Sequence, residues 1–295
     1  MRKLSRNRKN ETTSNQIENV DGYSANNVHV KGTDEELYFN STSAIKDVYI
    51  SGRWIDPANY SLSTDGKTLT LNAAFLNQLA YGSYTMQIGC INDSTVTCVF
   101  SIAAAIIASG SCGENLTWTL DENGVLTISG TGAMADYGLF RGKPAPWHEH
   151  RDKIKTVLIE PGVTSIGDAA FYGCTALTSI EVASGNEYYS VLDGVLFNKS
   201  VTELVCFPGG RAGASYTIPD SVTSIGEAAF WHCDSLTSVT IPASVTSIGR
   251  TAFYGCFSLT SVTIGSGVTS IGDSAFSICT APTKLSVRVT VVKTH

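Results

Sequence analysis

Residues 218–242 read IPDSVTSIGEAAFWHCDSLTSVTIP, and the pattern returns almost unchanged over residues 242–264. Ile225, Ile248 and Ile271 are spaced by 23 residues, as are Phe230, Phe253 and Phe276, and Cys233, Cys256 and Cys279. An earlier copy, VTSIGDAAFYGCTALTSIEV over residues 163–182, stands 59 residues ahead of the second. A fixed period between about 20 and 50 residues marks a solenoid, whose coils bury their apolar sides only against neighbouring coils. Within one period, Leu236, Val239 and Ile241 fit a strand whose apolar side chains point into the coil. Ile225, Phe230 and Cys233 fill the same interior from the opposite wall. Successive strands then stack about 4.8 Å apart as a parallel sheet, with Gly226 and Pro242 at the corners.

Composition narrows the function. The charged fraction is 16%, low against the roughly 25% of an ordinary soluble domain, and Ser, Thr and Gly take the place of charge. Net charge is −6, and the first ten residues hold Arg2, Lys3, Arg6, Arg8 and Lys9, which leaves 15 basic against 26 acidic residues beyond them. No basic face for nucleic acid is expected. The opening residues lack the apolar h-region of a signal peptide. The run Val99–Ala108 is too short for a membrane span of about 20 residues and reads as a final strand running into a linker.

Residues 28–106 carry short alternating stretches separated by turn signals: ELYFN, DVYISG, NYSLS, KTLTLN, YTMQIG and TVTCVFSI. Asp65-Gly66 and Asn92-Asp93 mark tight hairpin turns. Strands at this spacing argue for a small antiparallel sandwich. The segment DPANYSLSTDGKTLTLNAAFLNQLAYGSYTMQI resembles the immunoglobulin-like X modules of bacterial cellulosomal and surface proteins. The Tyr60 strand, the TLTL strand, the turn with Phe75 and Leu76, and Gly82 carry the likeness. The resemblance implies a spacer, with weak polysaccharide binding proposed for some members. Trp54 and Tyr60 are read as core or edge packing.

In Cys112–Ile159, LTWTL and VLTISGTG flank Asp121–Gly124 as a hairpin, followed by an irregular loop and the strand IKTVLI. This divergent element is assigned to cap the first coil, which would otherwise expose its interior. The repeats resemble the BspA-like leucine-rich repeat family, on Val222-Thr223-Ser224-Ile225-Gly226, Ala229-Phe230, Cys233, Leu236-Thr237-Ser238-Val239 and Ile241-Pro242. The pattern stands again at Val245–Ile264, at Val163–Val182 and, less completely, at Val268–Leu285. Between the first and second copies lie 36 residues beyond one period. They include EYYSVLDGVLFNKSVTELVCFPGG over Glu187–Gly210, read as a divergent coil with a β-hairpin turning at Asp193-Gly194. The same insertion recurs in the family, which implies a structural role.

The expected fold is therefore mainly β: an N-terminal immunoglobulin-like β-sandwich, then a leucine-rich repeat solenoid of 23-residue repeats with a β-hairpin cap. The expected parts are a disordered tail over 1–27, the X module over 28–106, linker and cap over 107–159, solenoid over 160–285, and a tail over 286–295. Of the eight cysteines, Cys174, Cys233, Cys256 and Cys279 share one inward position and are read as a ladder of free thiols. Cys90 and Cys98 flank a turn, and whether they pair stays open.

No catalytic constellation stands out. There is no GxSxG elbow. Gly130–Met134 lacks the partners of a phosphate loop, and no acid pair is singled out for glycoside chemistry. His148, Glu149 and His150 lack HExxH spacing. No catalytic residue, metal or cofactor is assigned, and the chain is not read as an enzyme. Binding remains. Ser179, Glu181, Ser238, Thr240, Ser261 and Thr263 fall on outward strand positions as a hydroxyl-rich face, which reads equally as a merely soluble β surface. Tyr172, Trp231 and Tyr254 follow the repeat Phe and form an aromatic stripe, either exposed for a ligand or packed between coils. The resemblance implies a monomeric, extracellular or cell-surface adhesin for a host or matrix protein. A surface-glycan binder and a structural stalk are the alternatives.

Overall fold

The computed structural model describes residues 27–138, 143–279 and 286–289. The chain divides into two compact units, Met1–Ala105 and Ile106–His295. Of the tails expected over 1–27 and 286–295, residues 1–26 and 290–295 lie outside the described residues.

In the first unit, Asn27–Val30, Thr95–Ala103, Gly82–Cys90, Ile45–Ile50 and Arg53–Trp54 form one sheet, in that order. Leu37–Asn40, Thr68–Leu71 and Tyr60–Leu62 form another. Both sheets turn alternate residues inward: Met86, Ile88, Cys98, Phe100 and Ile102 meet Leu37, Phe39, Leu69 and Leu71 in a single core, as period-two side-chain direction requires. The Asp65-Gly66 turn forms, with Gly66 at φ 68° and its N–H bonded to Ser63 O at 2.8 Å. Asp93 takes φ 61° in the second hairpin. The ladder sets Cys98 opposite Met86 and Cys90 opposite Ile45, so the two thiols do not face each other. Trp54 is 54% exposed on the edge strand rather than part of the core.

The second unit begins earlier than the sequence suggests. Residues 107–111, expected as linker, belong to the strand Ile106–Ser111, which pairs antiparallel with Leu116–Asp121. The hairpin then pairs Leu116–Asp121 with Val125–Gly130. Thr156–Ile159 and Ser179–Val182 add in parallel beside it. A second parallel sheet stacks Ser215–Thr217, Ser238–Ile241, Ser261–Ile264 and Ser286–Val289. The last of these lies in the stretch expected to be a tail. It pairs Ser261 with Ser286, a step of 25 rather than the 23 between Ser238 and Ser261. The opposite wall stacks Ser224–Ile225, Ser247–Ile248 and Ser270–Ile271. The insertion forms the expected hairpin: Tyr189–Leu192 pairs with Val195–Asn198 through Asp193 and Gly194, at φ 51° and 77°, the twist of a type I′ turn. Glu203–Cys206 follows and joins the opposite wall beside Ser224–Ile225.

Between the walls runs an arc that periodicity alone does not describe. Ala169, Ala228, Thr251 and Ser274 all have φ between 50° and 57°. Four residues on, Gly173, His232, Gly255 and Ile278 are left-handed as well. A non-Gly residue costs roughly 1–2 kcal/mol there. What holds the strain is a hydrogen-bond ladder: Ala228, Phe230 and His232 donate their N–H groups to Arg250, Ala252 and Tyr254 O of the next coil, at 2.7–3.0 Å. Thr251, Phe253 and Gly255 repeat this toward Asp273, Ala275 and Ser277. Inside the arc Phe207, Phe230, Phe253 and Phe276 stack with centroids 4.6–5.0 Å apart. Each coil's thiol donates to the phenylalanine carbonyl one coil back: Cys256 to Phe230 O at 3.0 Å, Cys279 to Phe253 O at 3.1 Å. The eight cysteines are free.

Candidate functional site

The strand face of the second sheet aligns its hydroxyls. Ser215, Ser238 and Ser261 are register partners, and so are Thr217, Thr240 and Thr263. Val239 and Val262 between them point into the core, so period-two alternation sends the hydroxyls outward. Four of the sequence-selected residues, Ser238, Thr240, Ser261 and Thr263, thus share one surface. Ser179 and Glu181 do not join it. They lie on the sheet that ends at Ser179–Val182, beside Thr156 and Leu158, where Ser179 Oγ and Thr156 Oγ1 are 3.1 Å apart. The insertion separates the two sheets in the chain. Ser215 and Thr217, which sequence reasoning missed, extend the face by one rung. Their signal was the SYTI of residues 215–218, a degenerate SVTI.

Rows of threonine frame this face. Thr237 Oγ1 donates to Ala214 O at 2.9 Å and Thr260 Oγ1 to Thr237 O at 3.1 Å. On the opposite wall Thr246 and Thr269 do the same toward Thr223 and Thr246. These hydroxyls staple one coil to the one before it.

The aromatic stripe exists, and its rings are spent on one another. Tyr172 meets Trp231 edge-on at 4.6 Å, and Trp231 stacks on Tyr254 at 4.2 Å and 17°. His148 covers the outer face of Tyr172 at 5.4 Å. Trp231 is 9% exposed, which leaves its indole as packing. Tyr172 and Tyr254 are half-buried, and burial raises the Tyr172 hydroxyl pKa. Desolvation, then the Arg151 charge, lowers that of His148. Among the described residues no group of three His, Cys, Asp or Glu is placed to hold a metal.

A cavity of about 250 Å³ opens beside this stripe. Ile166 to Tyr172 of the first coil, Tyr188, Tyr189, Asn198 and Glu203 of the insertion, and Gly226 to Ala228 line it. Tyr189 is buried, and its hydroxyl accepts the Ile166 N–H at 2.6 Å. Desolvation, reinforced by the Asp168 charge, holds the Glu203 carboxyl above its ordinary range. Asn198 fixes the turn into the Glu203 strand by accepting the N–H groups of Thr202 and Glu203. The sequence reading passed over this place because it treats the insertion as scaffold.

The model of the BspA type leucine rich repeat region matches residues 148–210 and 204–294, in six copies. No curated protein matches the chain. Similar solved structures include a leucine-rich repeat protein from Eubacterium ventriosum, 22% identical, with 62% of this chain and 85% of that one covered at TM-score 0.27. A leucine rich cell surface protein from Faecalibacterium prausnitzii is 16% identical, with 65% and 97% covered at TM-score 0.26. For the pneumococcal vaccine antigen PcpA, identity is 22%, and the alignment covers 46% of this chain and 39% of the antigen at TM-score 0.41. Through residues 148–294, this chain belongs to the BspA-type leucine-rich repeat family.

Proposed function

We propose that this is a non-catalytic extracellular or cell-surface binding protein, an adhesin that holds a host or matrix protein on the hydroxyl face of its solenoid. The observation that carries the reading is the in-register array of Ser215, Ser238 and Ser261 beside Thr217, Thr240 and Thr263. Such an array offers hydrogen bonds at fixed spacing on a rigid support. Hydroxyls lose little on desolvation when a partner replaces their water. The first unit, as an immunoglobulin-like X module over 28–106, serves in this reading as a spacer. The cap over 107–159 and the repeats over 160–285 form the binding part, and the chain acts as a monomer.

The test is a panel of immobilised matrix proteins probed with the full chain and with the Ser238→Arg/Thr240→Arg variant. Saturable binding lost in that variant, with an unchanged melting curve, is the expected result. Absence of binding to the whole panel, or binding indifferent to the two arginines, overturns the assignment.

A further inference from the structure

The hydrogen-bond ladder of the arc is interrupted at one place, where the cavity lies. Ala228 and Phe230 donate to the following coil, whereas the equivalent N–H groups of Ala169 and Phe171 meet no acceptor among the described residues. The cause is the insertion. Leu204 is the register partner of Ile225 on the wall, yet only two residues separate it from Phe207 where four separate Ile225 from Phe230, so the next arc is shorter and presents fewer carbonyls. The regular ladder resumes only at Phe207, whose N–H reaches Ala229 O at 2.7 Å. One rung is therefore partly missing, and its space is the cavity.

The chemistry of the walls selects the occupant. Backbone N–H groups that have no acceptor among the described residues demand one and disfavour a cation. The Glu203 carboxylate on the cavity wall disfavours an anion. A neutral ligand that both donates and accepts satisfies the two at once. Tyr188, 46% exposed at the rim, adds a ring on which an apolar ligand face can stack. The volume, about 250 Å³, lies below the roughly 300–1,000 Å³ of drug-sized sites and suits one sugar ring rather than a chain. We propose that the cavity between the first coil and the insertion binds a single uncharged pyranose. In it the Ala169 and Phe171 N–H groups donate to ring substituents, Glu203 accepts from a hydroxyl, and Tyr188 stacks on the ring. This site is independent of the hydroxyl face.

The experiment is saturation-transfer NMR and calorimetry on the full chain. The probes are the methyl glycosides of glucose, galactose and mannose, with N-acetylglucosamine, lysine amide and inorganic phosphate. At least one sugar is expected to bind, on the order of 1 mM, with no competition from lysine amide or phosphate. Tyr188→Ala and the shape-preserving Glu203→Gln should each weaken it at least about fivefold, while Ser238→Arg/Thr240→Arg leaves it unchanged. An array of oligosaccharides ending in the bound sugar separates the sources: capture there assigns a glycan end, binding of the free glycoside alone a small solute. No saturation transfer to any sugar, binding of lysine amide or phosphate in their place, or sugar binding unmoved by both cavity variants overturns the proposal.

Discussion

Ile278 shows how a single residue stores backbone strain. It stands at φ 59° where two other coils have Gly173 and Gly255, and its β-branched side chain is half-exposed, so little packing repays the conformation. Ile278→Gly is expected to stabilise the second unit by about 1 kcal/mol, read as a rise of roughly 2–4 °C in its melting temperature. The reverse holds at Gly255. A Cβ there would lie 2.7 Å from the His232 ring, at φ 69°, so Gly255→Ala should cost about 1–2 kcal/mol or more. Both are measured by thermal unfolding of the full chain, following the lower and upper transitions separately.

At the level of elements, the stacked phenylalanines and their thiols act together. Phe253 is fully buried between Phe230 and Phe276, and Phe253→Ala is expected to cost about 3–5 kcal/mol. Phe276→Ala should cost less, because Phe276 is only half-buried at the end of the stack. Denaturant titration distinguishes the two. The thiols add a pH dependence. Burial raises the Cys174 pKa from 9.0 to about 12 and the Cys279 pKa to about 11. An unfolded thiol gives up its proton first as pH rises, so the folded state is favoured fully below about pH 9 and progressively less above it. The denaturation midpoint should fall between about pH 9 and 11, and more shallowly in Cys174→Ala. An equal slope in that variant would remove the thiol from the account.

For the whole chain, the decisive boundary is the start of the second unit. Ile106–Ser111 pairs along Leu116–Asp121 from Thr117 to Asp121, and Gly110 lies against the buried Trp118 indole. A fragment over 106–295 is expected to melt as the second unit does in the full chain. One starting at Cys112 strips that strand, opens the Trp118 side of the sheet and should melt at least about 5 °C lower. Calorimetry of the two fragments decides it.

The period of 23 residues was sufficient to place the interior. Ile225, Phe230, Cys233, Leu236 and Val239 are buried as their spacing requires, because a stacked coil has only one inside. The Asp193-Gly194 hairpin was equally legible, since few other residue pairs accept two left-handed positions. Tertiary structure alone decided the rest. Ser179 and Glu181 match Ser238 and Thr240 in pattern, yet the insertion puts them on another sheet. Sequence spacing cannot show whether Trp231 faces water or another ring. Ile271 repeats Ile225 and Ile248 and is still 53% exposed, because an identical side chain is buried only when a neighbouring coil covers it. The cavity has the same origin: it lies where the neighbour a local pattern presupposes is partly missing, and only the folded chain reveals which neighbour that is.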